Sequence, residues 1–283
     1  MSQDIINWGK LEQDKAKIKK EFNNNDPFRY VVIEDFLDPN AAKAIENGFE
    51  EALAHKDPFG EKSHKNVLRK TGTPNLKVMT EKQRDFFSSV VTSKFVDFLK
   101  EITAINNIYG DPNLSGGGLH QSVKGAFLNV HTDFNFHPKN DTHRRLNLIC
   151  YVNEEWKESW GGALELWNAK MSERKANLFP KFNRAVLFET SEISFHGHPI
   201  PLNCPVDVAR KSMAVYYYSD WPEGLERRAK TNYVLTPEQK SKVLSVIENA
   251  INEGKITTWE EASTLLPDVQ PSHVKKLFRK FIS

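Results

Sequence analysis

The stretch from Gly116 to Trp221 constrains the fold most, because its residues follow the periodicity of strands and glycine-containing turns interrupt it. Alternation with period two is typical of a strand with one buried face, since successive side chains point to opposite sides of a sheet. Several short strands divided by turn signals indicate a β-sandwich or barrel of jelly-roll type. The clearest strand patterns cover residues 116–131, 144–153, 160–167 and 182–188.

Helical patterns flank this segment on both sides, and the fold class we expect is therefore mainly β with flanking helices. A strand is predicted over residues 28–37, and the polar, aperiodic residues 55–74 are interpreted as a loop over a site. We expect the helices before the strand region to back the sheet. The predicted helices cover residues 3–22, 41–54, 80–105, 236–251, 258–266 and 272–281.

The patterns divide the chain into three parts: an N-terminal helical segment (1–25), a jelly-roll domain with supporting helices (26–222) and a helical C-terminal extension (223–283). The extension either closes over the mouth of the barrel or forms a homodimer contact. In both cases we expect it to support the fold rather than to carry chemistry.

Composition limits the classes of partner and compartment. The 283 residues carry a formal net charge of +2, which is too small to indicate nucleic acid or an anionic membrane as a partner. Two cysteines cannot form a disulfide framework, and the sequence contains neither a secretory h-region nor an apolar run of about eighteen residues. We therefore expect a cytoplasmic protein in a reducing compartment.

His131 and Asp133 are the first candidates for metal ligands. In an extended strand their side chains point to the same face. A histidine from a distant strand would complete two imidazoles and one carboxylate, the arrangement that leaves three coordination positions open on non-haem iron. His196 and His198 are both candidates for that third ligand. The triplet alone is a weak signal, because the chain contains nine histidines.

Further polar residues accompany these ligands in the strand patterns. Alternation places Arg145, Asn147, Ile149 and Tyr151 on one side of their strand. Asn147 is either a satisfied buried polar group or a contact to a co-substrate.

Taken as an ordered set, the motifs resemble those of the iron(II)- and 2-oxoglutarate-dependent oxygenases, specifically their prolyl 4-hydroxylase-like branch. The resemblance is strong from about residue 116 to 221 and looser over 28–49. The matching motifs are His131-Thr132-Asp133, the strand 144–153, residues 160–166, residues 180–188, Ser194-Phe195-His196-Gly197 and Arg210-Lys211-Ser212.

The resemblance implies a double-stranded β-helix in which His131, Asp133 and His196 bind iron(II). It further implies that 2-oxoglutarate chelates the metal and that its far carboxylate pairs with Arg210, whose planar guanidinium suits a bidentate contact. Ser212 and Tyr151 are implied as additional donors to that carboxylate. The implied reaction uses O2 to hydroxylate an unactivated C–H bond and forms succinate and CO2.

Several alternatives stay open at the level of sequence. The family pattern favours His196 over His198 as the ligand, and alternation favours Arg210 over Lys211. Residues that could meet substrate are His198, Arg144, Arg145 and Gln121. For the two arginines, a salt bridge at the end of the strand is the alternative.

The substrate could be an amino acid residue in a peptide, a free amino acid, a sugar or a natural-product scaffold. The same cofactors also support desaturation or epimerisation. A jelly roll of cupin type that binds a metal or ligand without turnover is the alternative outside the enzymes.

Overall fold

The computed structural model describes residues 4–54, 67–137 and 139–281. In these parts of the chain eleven strands join one sheet, in which every pairing is antiparallel. The main path runs β1-β8-β5-β10-β4-β9-β6-β7, with β2 and β11 paired to β4 and β3 paired to β10. The strands are β1 (Tyr30–Ile33), β2 (Val67–Thr73), β3 (Tyr109–Gly110), β4 (Gly118–Thr132), β5 (His143–Tyr151), β6 (Leu164–Trp167), β7 (Arg174–Leu178), β8 (Arg184–Glu189), β9 (Phe195–His198), β10 (Arg210–Ser219) and β11 (Asn232–Tyr233).

The sheet curls until its two halves face each other. Strands β8 and β9 are separated by three others along the path, yet the rings of Phe188 and His196 lie 4.7 Å apart between centroids. Leu164 and Leu166 of β6 likewise pack against Val186 of β8. The inner face of the curled sheet therefore encloses a space, and side chains from distant strands meet there.

Eight α-helices surround the sheet in the described residues. Those before β3 cover its outer face, where their apolar side chains join those of β5, β8 and β10 in the largest core. Leu148 and Val215, for example, point to the helices, whereas their strand neighbours face inward. The helices are α1 (Trp8–Asn24), α2 (Pro39–Asn47), α3 (Phe49–Ala54), α4 (Glu81–Ser89), α5 (Ser93–Thr103), α6 (Pro237–Asn252), α7 (Trp259–Leu265) and α8 (Pro271–Phe278).

Some boundaries differ from the predictions for physical reasons. The predicted helix 41–54 is two helices, with Gly48 at the end of α2, and the helix 80–105 is also two, since Thr92 caps a new start by accepting from the Phe95 amide. The strand predicted over 28–37 is shortened to β1, because the backbone leaves the extended conformation at Asp35, whose φ is 51°. Phe36 and Leu37 lie beyond this bend in the core.

The loop prediction for 55–74 is wrong over its second half. Residues 67–73 form β2, whereas residues 55–66 lie outside the described part of the chain. Strand β7 was not predicted, because most of its residues are exposed or half-buried and give no apolar alternation.

The C-terminal helices have a small core of their own, in which Val243, Ile247, Val274 and Phe278 are buried. They contact the sheet through Gln239, whose amide donates to the Asn129 side chain at 2.9 Å. The domain boundaries and a homodimer contact through these helices stay predictions. Among the helices described here, none is both long and apolar enough to cross a bilayer.

Both cysteines are buried and carry free thiols. Burial raises the pKa of the Cys150 and Cys204 thiols, which makes the reactive thiolate form scarce. The expected reducing, cytoplasmic compartment stays a prediction.

Candidate metal centre and its cavity

The curled sheet encloses a cavity of about 390 Å³. Its walls come from strands β2, β4, β5, β6, β9, β10 and β11. The lining combines apolar side chains with a small group of polar and charged ones, which is typical of a site for a small molecule or for one reacting side chain.

His131, Asp133 and His196 meet at one wall of this cavity. Their ligand atoms all lie within 4.8 Å of one another, and among the described residues they are the one such cluster of three. His131 and His196 are paired across β4 and β9, which brings their rings to 4.4 Å between centroids. Asp133 follows directly after β4, and each of its two oxygens lies 3.5 Å from one histidine Nε2 atom.

Backbone carbonyls fix the orientation of both imidazole rings. The Nδ1 atom of His131 lies 2.8 Å from the carbonyl oxygen of Asn129, and that of His196 lies 2.8 Å from the carbonyl of Ser194. When Nδ1 carries the proton and donates to the carbonyl, Nε2 is left as the lone-pair donor toward the other ligands. Burial, aided by the charge of His131, lowers the pKa of His196 to about 4, so that its ring is neutral near pH 7.

Two buried side chains hold the Asp133 carboxylate. The Asn147 amide donates to Oδ2 at 2.8 Å, and the Arg144 guanidinium lies 3.0 Å from the same oxygen. Burial alone would raise the pKa of Asp133, but Arg144 and His196 lower it well below the usual range of an aspartate. Asp133 is therefore ionised near neutral pH, as a metal ligand must be.

Both ends of the Asn147 amide are used in this arrangement, since its oxygen accepts from Arg144 Nε at 2.9 Å. The structure therefore favours the first interpretation of Asn147, a buried amide whose hydrogen bonds are satisfied within the protein, over a contact to a co-substrate.

Arg144, not Arg145, points into the cavity, and the alternation prediction is wrong at this position. The register of β5 against β10 shifts here, so that Tyr217 opposes Leu146 and Tyr218 opposes Arg144. The bulge leaves Arg145 outside, where it pairs with Glu189 at 3.3 Å. Arg144 is 1% exposed, and its guanidinium carbon lies 3.4 Å from the centre of the Tyr216 ring, which packs against it as a cation–π pair.

Arg210 and Ser212 line the cavity, as alternation predicts, together with Tyr151. The Arg210 side chain is held in place by the Gly162 carbonyl, which accepts from Nε at 2.7 Å, and it donates to the Tyr151 hydroxyl at 3.2 Å. Lys211 points away from the cavity, with its ammonium 3.7 Å from Glu46. A basic residue thus faces the same enclosed space as the histidine and aspartate cluster.

Of the two remaining residues predicted to meet substrate, one lines the cavity and the other does not. His198 lines the cavity, and burial, Arg210 and Lys70 lower its pKa well below the ordinary value. Gln121 does not line it, whereas its neighbour His120 does.

Sequence reasoning missed Lys70, His120, Phe134 and Tyr233, which also line the cavity. Tyr233 lies on β11, and its ring packs against that of His131 at a tilt of 44°, with 5.3 Å between the centroids. The β-branched residues in Val67-Leu-Arg-Lys-Thr-Gly-Thr73 were the signal that could have revealed the strand carrying Lys70.

The donor set fits a divalent transition metal. Two imidazole nitrogens and one ionised carboxylate converge from one side, and the cavity leaves the opposite side open to further ligands. This is the two-histidine, one-carboxylate set that non-haem iron(II) oxygenases use.

Gly197 follows the ligand His196 on β9 and packs against the backbone of β4, and we expect Gly197→Ala to disturb the centre. A Cβ atom there would lie 2.8 Å from the Leu128 carbonyl oxygen and 2.9 Å from that of Asn129, both of them backbone atoms that cannot rotate away. The resulting shift of β9 against β4 should cost about 1–3 kcal/mol of unfolding free energy. It should also weaken cobalt(II) binding, measured by absorbance titration.

Gly9→Ala is the matched control, because Gly9 is exposed and the nearest atom to an added Cβ there, Asn7 Oδ1, is 3.8 Å away. It should leave metal binding unchanged and stabilise the protein by at most ~1 kcal/mol. A Gly197→Ala protein with wild-type stability and metal affinity would show that the two strands do not pack as described.

Comparison with known proteins agrees with this geometry. Residues 117–218 match the family model of the 2OG-Fe(II) oxygenase superfamily. Mouse (Mus musculus) prolyl 3-hydroxylase OGFOD1 is 24% identical over 197 residues, which are 68% of this chain and 33% of that protein. The chain thus spans about a third of the length of this curated relative.

Two crystal structures of prolyl 4-hydroxylases share the fold. The enzyme from Pseudomonas putida superimposes with a TM-score of 0.53 at 14% identity, covering 74% of this chain and 100% of that one. The enzyme from Phytophthora capsici gives a TM-score of 0.54 at 18% identity, covering 95% and 90%. With the curled antiparallel sheet, these neighbours confirm the predicted jelly-roll core with its supporting helices. Residues 117–218 thus form a domain that matches the iron(II)- and 2-oxoglutarate-dependent oxygenase superfamily, and the chain is similar to prolyl hydroxylases.

Proposed function

We propose that this chain is an iron(II)- and 2-oxoglutarate-dependent dioxygenase that hydroxylates an unactivated C–H bond of an organic substrate. The observation that carries the proposal is the convergence of His131, Asp133 and His196 within 4.8 Å at the wall of a cavity that also contains Arg210. A protein that only binds a metal has no need of a buried guanidinium aimed into the same space.

In this proposal His131, Asp133 and His196 hold iron(II), with Asp133 kept ionised and oriented by Arg144 and Asn147. The bound iron and 2-oxoglutarate supply the oxidation: one atom of O2 enters succinate as CO2 is lost, and the other enters the substrate. The protein contributes the enclosed cavity, which limits access of water and holds the substrate C–H bond near the metal.

Arg210, Tyr151 and Ser212 bind the far carboxylate of 2-oxoglutarate in this proposal. The Gly162 carbonyl and the Tyr151 hydroxyl already fix the guanidinium, so little side-chain entropy is lost when the carboxylate binds.

The test is anaerobic addition of iron(II) and 2-oxoglutarate to the full chain. A weak visible charge-transfer band should appear, and exposure to air should yield succinate. Protein that binds iron(II) but develops neither the band nor succinate would contradict the proposal.

Arg210→Met is expected to raise the 2-oxoglutarate concentration needed for half-maximal succinate formation by about tenfold to a hundredfold. The physical reason is the loss of a charge-assisted pair, which contributes about 1.5–3 kcal/mol. Iron(II) affinity should change little. Lys211→Met is the matched control, because the Lys211 ammonium points to Glu46 outside the cavity. An equal effect of both substitutions on the 2-oxoglutarate requirement would contradict the assignment.

The substrate of this chain is proposed to be an amino acid residue in a peptide, a free amino acid, a sugar or a natural-product scaffold. The names of the relatives make a prolyl residue the first class to test. Mass spectrometry of a cell extract incubated with the loaded protein should reveal a product heavier by one oxygen atom. The Asp133→Asn protein should form no such product.

A further inference from the structure

Lys70 is a basic side chain that lines the cavity and has no role in the proposed reaction. It lies on β2, and both Lys70 and Arg210 are cross-strand partners of Ser122 on β4, one on each side. Directly opposed residues of antiparallel strands point to the same face. Lys70 and Arg210 therefore project into the same cavity from two strands that flank β4.

Among the residues that the structure describes, no carboxylate forms an ion pair with Lys70. Asp133 is the one acidic side chain of the described residues whose charge acts on it, and Asp133 is already paired with Arg144 at 3.0 Å. Burial and the charges of Arg210 and Arg144 lower the pKa of Lys70 to about 8, which leaves most of the ammonium charged at pH 7. The surroundings of Lys70 are thus net positive.

His198 provides a second polar group for the same region. Its side chain lines the cavity at 6% exposure, and its buried Nδ1 atom has no hydrogen-bond partner among the residues that the structure describes. A buried polar atom without a partner is costly, so a ligand that supplies one is favoured.

Charge complementarity points to an anion as that ligand. The cavity contains Lys70, Arg144 and Arg210 but only one carboxylate, Asp133, among its described lining residues. Iron(II) and the 2-oxoglutarate dianion would cancel one another, and the surplus of positive side chains would remain.

We propose that Lys70 and His198 form an anion subsite beside Arg210 that binds a carboxylate group. This inference rests on the proposed function, since it describes a ligand of the same site. The carboxylate has two possible sources, the far end of 2-oxoglutarate or the substrate. In the first case Lys70 reinforces Arg210, and in the second it selects an acidic substrate.

The experiment measures ligand binding to the full chain loaded with zinc(II), which cannot turn over. Calorimetry gives the Kd of 2-oxoglutarate and of 2-oxobutyrate, which has the same keto acid end but no far carboxylate. Fluorine NMR then follows trifluoroacetate added to the protein saturated with zinc(II) and 2-oxoglutarate. Each is measured for wild type, Lys70→Met and Lys70→Arg.

If the carboxylate belongs to 2-oxoglutarate, Lys70→Met should raise the Kd of 2-oxoglutarate about tenfold to a hundredfold and leave that of 2-oxobutyrate unchanged. If it belongs to the substrate, both values should stay constant, and the perturbation of the trifluoroacetate signal should disappear. Lys70→Arg should restore most of whichever effect is seen, and His198→Leu should reproduce it more weakly.

Lys77→Met is the matched control, because this exposed lysine lies seven residues further along the same segment and outside the cavity. The subsite is refuted if Lys70→Met changes none of the three measurements, or if it raises the Kd of 2-oxobutyrate as much as that of 2-oxoglutarate. Wild-type protein that binds zinc(II) but neither keto acid would instead refute the proposed function.

Discussion

Asp133→Asn is expected to lower the affinity for iron(II) by more than about a hundredfold, beyond the effect typical of losing a partner of a metal ligand. The amide keeps the shape of the side chain but removes the negative charge that attracts the cation. It also leaves the buried Arg144 charge facing the metal, since the pair at 3.0 Å is lost. Anaerobic metal titration should record the weaker binding, and succinate formation should fall to background.

Asp141→Asn is the matched control. Asp141 pairs with Arg227 at the surface and has a φ of 52°, a conformation that asparagine tolerates. Its substitution should leave iron(II) binding and succinate formation at wild-type levels. Succinate formation that survives in Asp133→Asn would mean that this carboxylate is not a ligand.

Arg144→Met should lower the free energy of unfolding of the metal-free protein by about 3–5 kcal/mol, the usual cost of removing one partner of a buried ion pair. Three contacts are lost together: the ion pair with Asp133, the bond to Asn147 and the packing of the guanidinium on Tyr216. Burial raises the pKa of an unpaired carboxyl group, so Asp133 should also become easier to protonate and bind metal less well. Urea denaturation followed by circular dichroism measures the change.

Arg145→Met provides a sharp control, because the two arginines are neighbours in sequence, but Arg144 pairs with Tyr218 and enters the cavity, whereas Arg145 is the unpaired residue of the bulge. Arg145 pairs with Glu189 near the surface, so its loss should cost no more than about 1 kcal/mol. Equal costs for the two variants would contradict the register shift in β5.

The double variant Arg144→Met/Asp133→Asn isolates the ion pair. It should be more stable than the sum of the two single effects predicts, by about 0.5–3 kcal/mol, because neither charge is then left buried alone. A purely additive result would show that the two residues do not interact in the folded protein.

Much of the candidate site could be predicted from local rules. His131 and Asp133 are two residues apart in a strand pattern, and period two alone places them on one face. The same rule correctly separates Arg210 and Ser212, which line the cavity, from Lys211, which points to Glu46. These are short-range consequences of strand geometry.

Local rules failed where a long-range contact changes the strand. The bulge in β5 exchanges the sides of Arg144 and Arg145, and nothing within residues 144–153 signals it, since it arises in the pairing with β10. Strand β2 lacks apolar alternation because one of its faces meets a polar cavity, and it was therefore predicted as a loop.

The sequence by itself determined the mainly β jelly-roll class, the supporting helices and the ordered set of ligand candidates, because these follow from side-chain periodicity and motif order. Only the tertiary structure decided which imidazole meets His131, which arginine supports Asp133, and that Lys70 enters the cavity. The physical reason is that these three facts depend on how the sheet curls and how its strands pair. Both are set by packing between residues far apart in the chain.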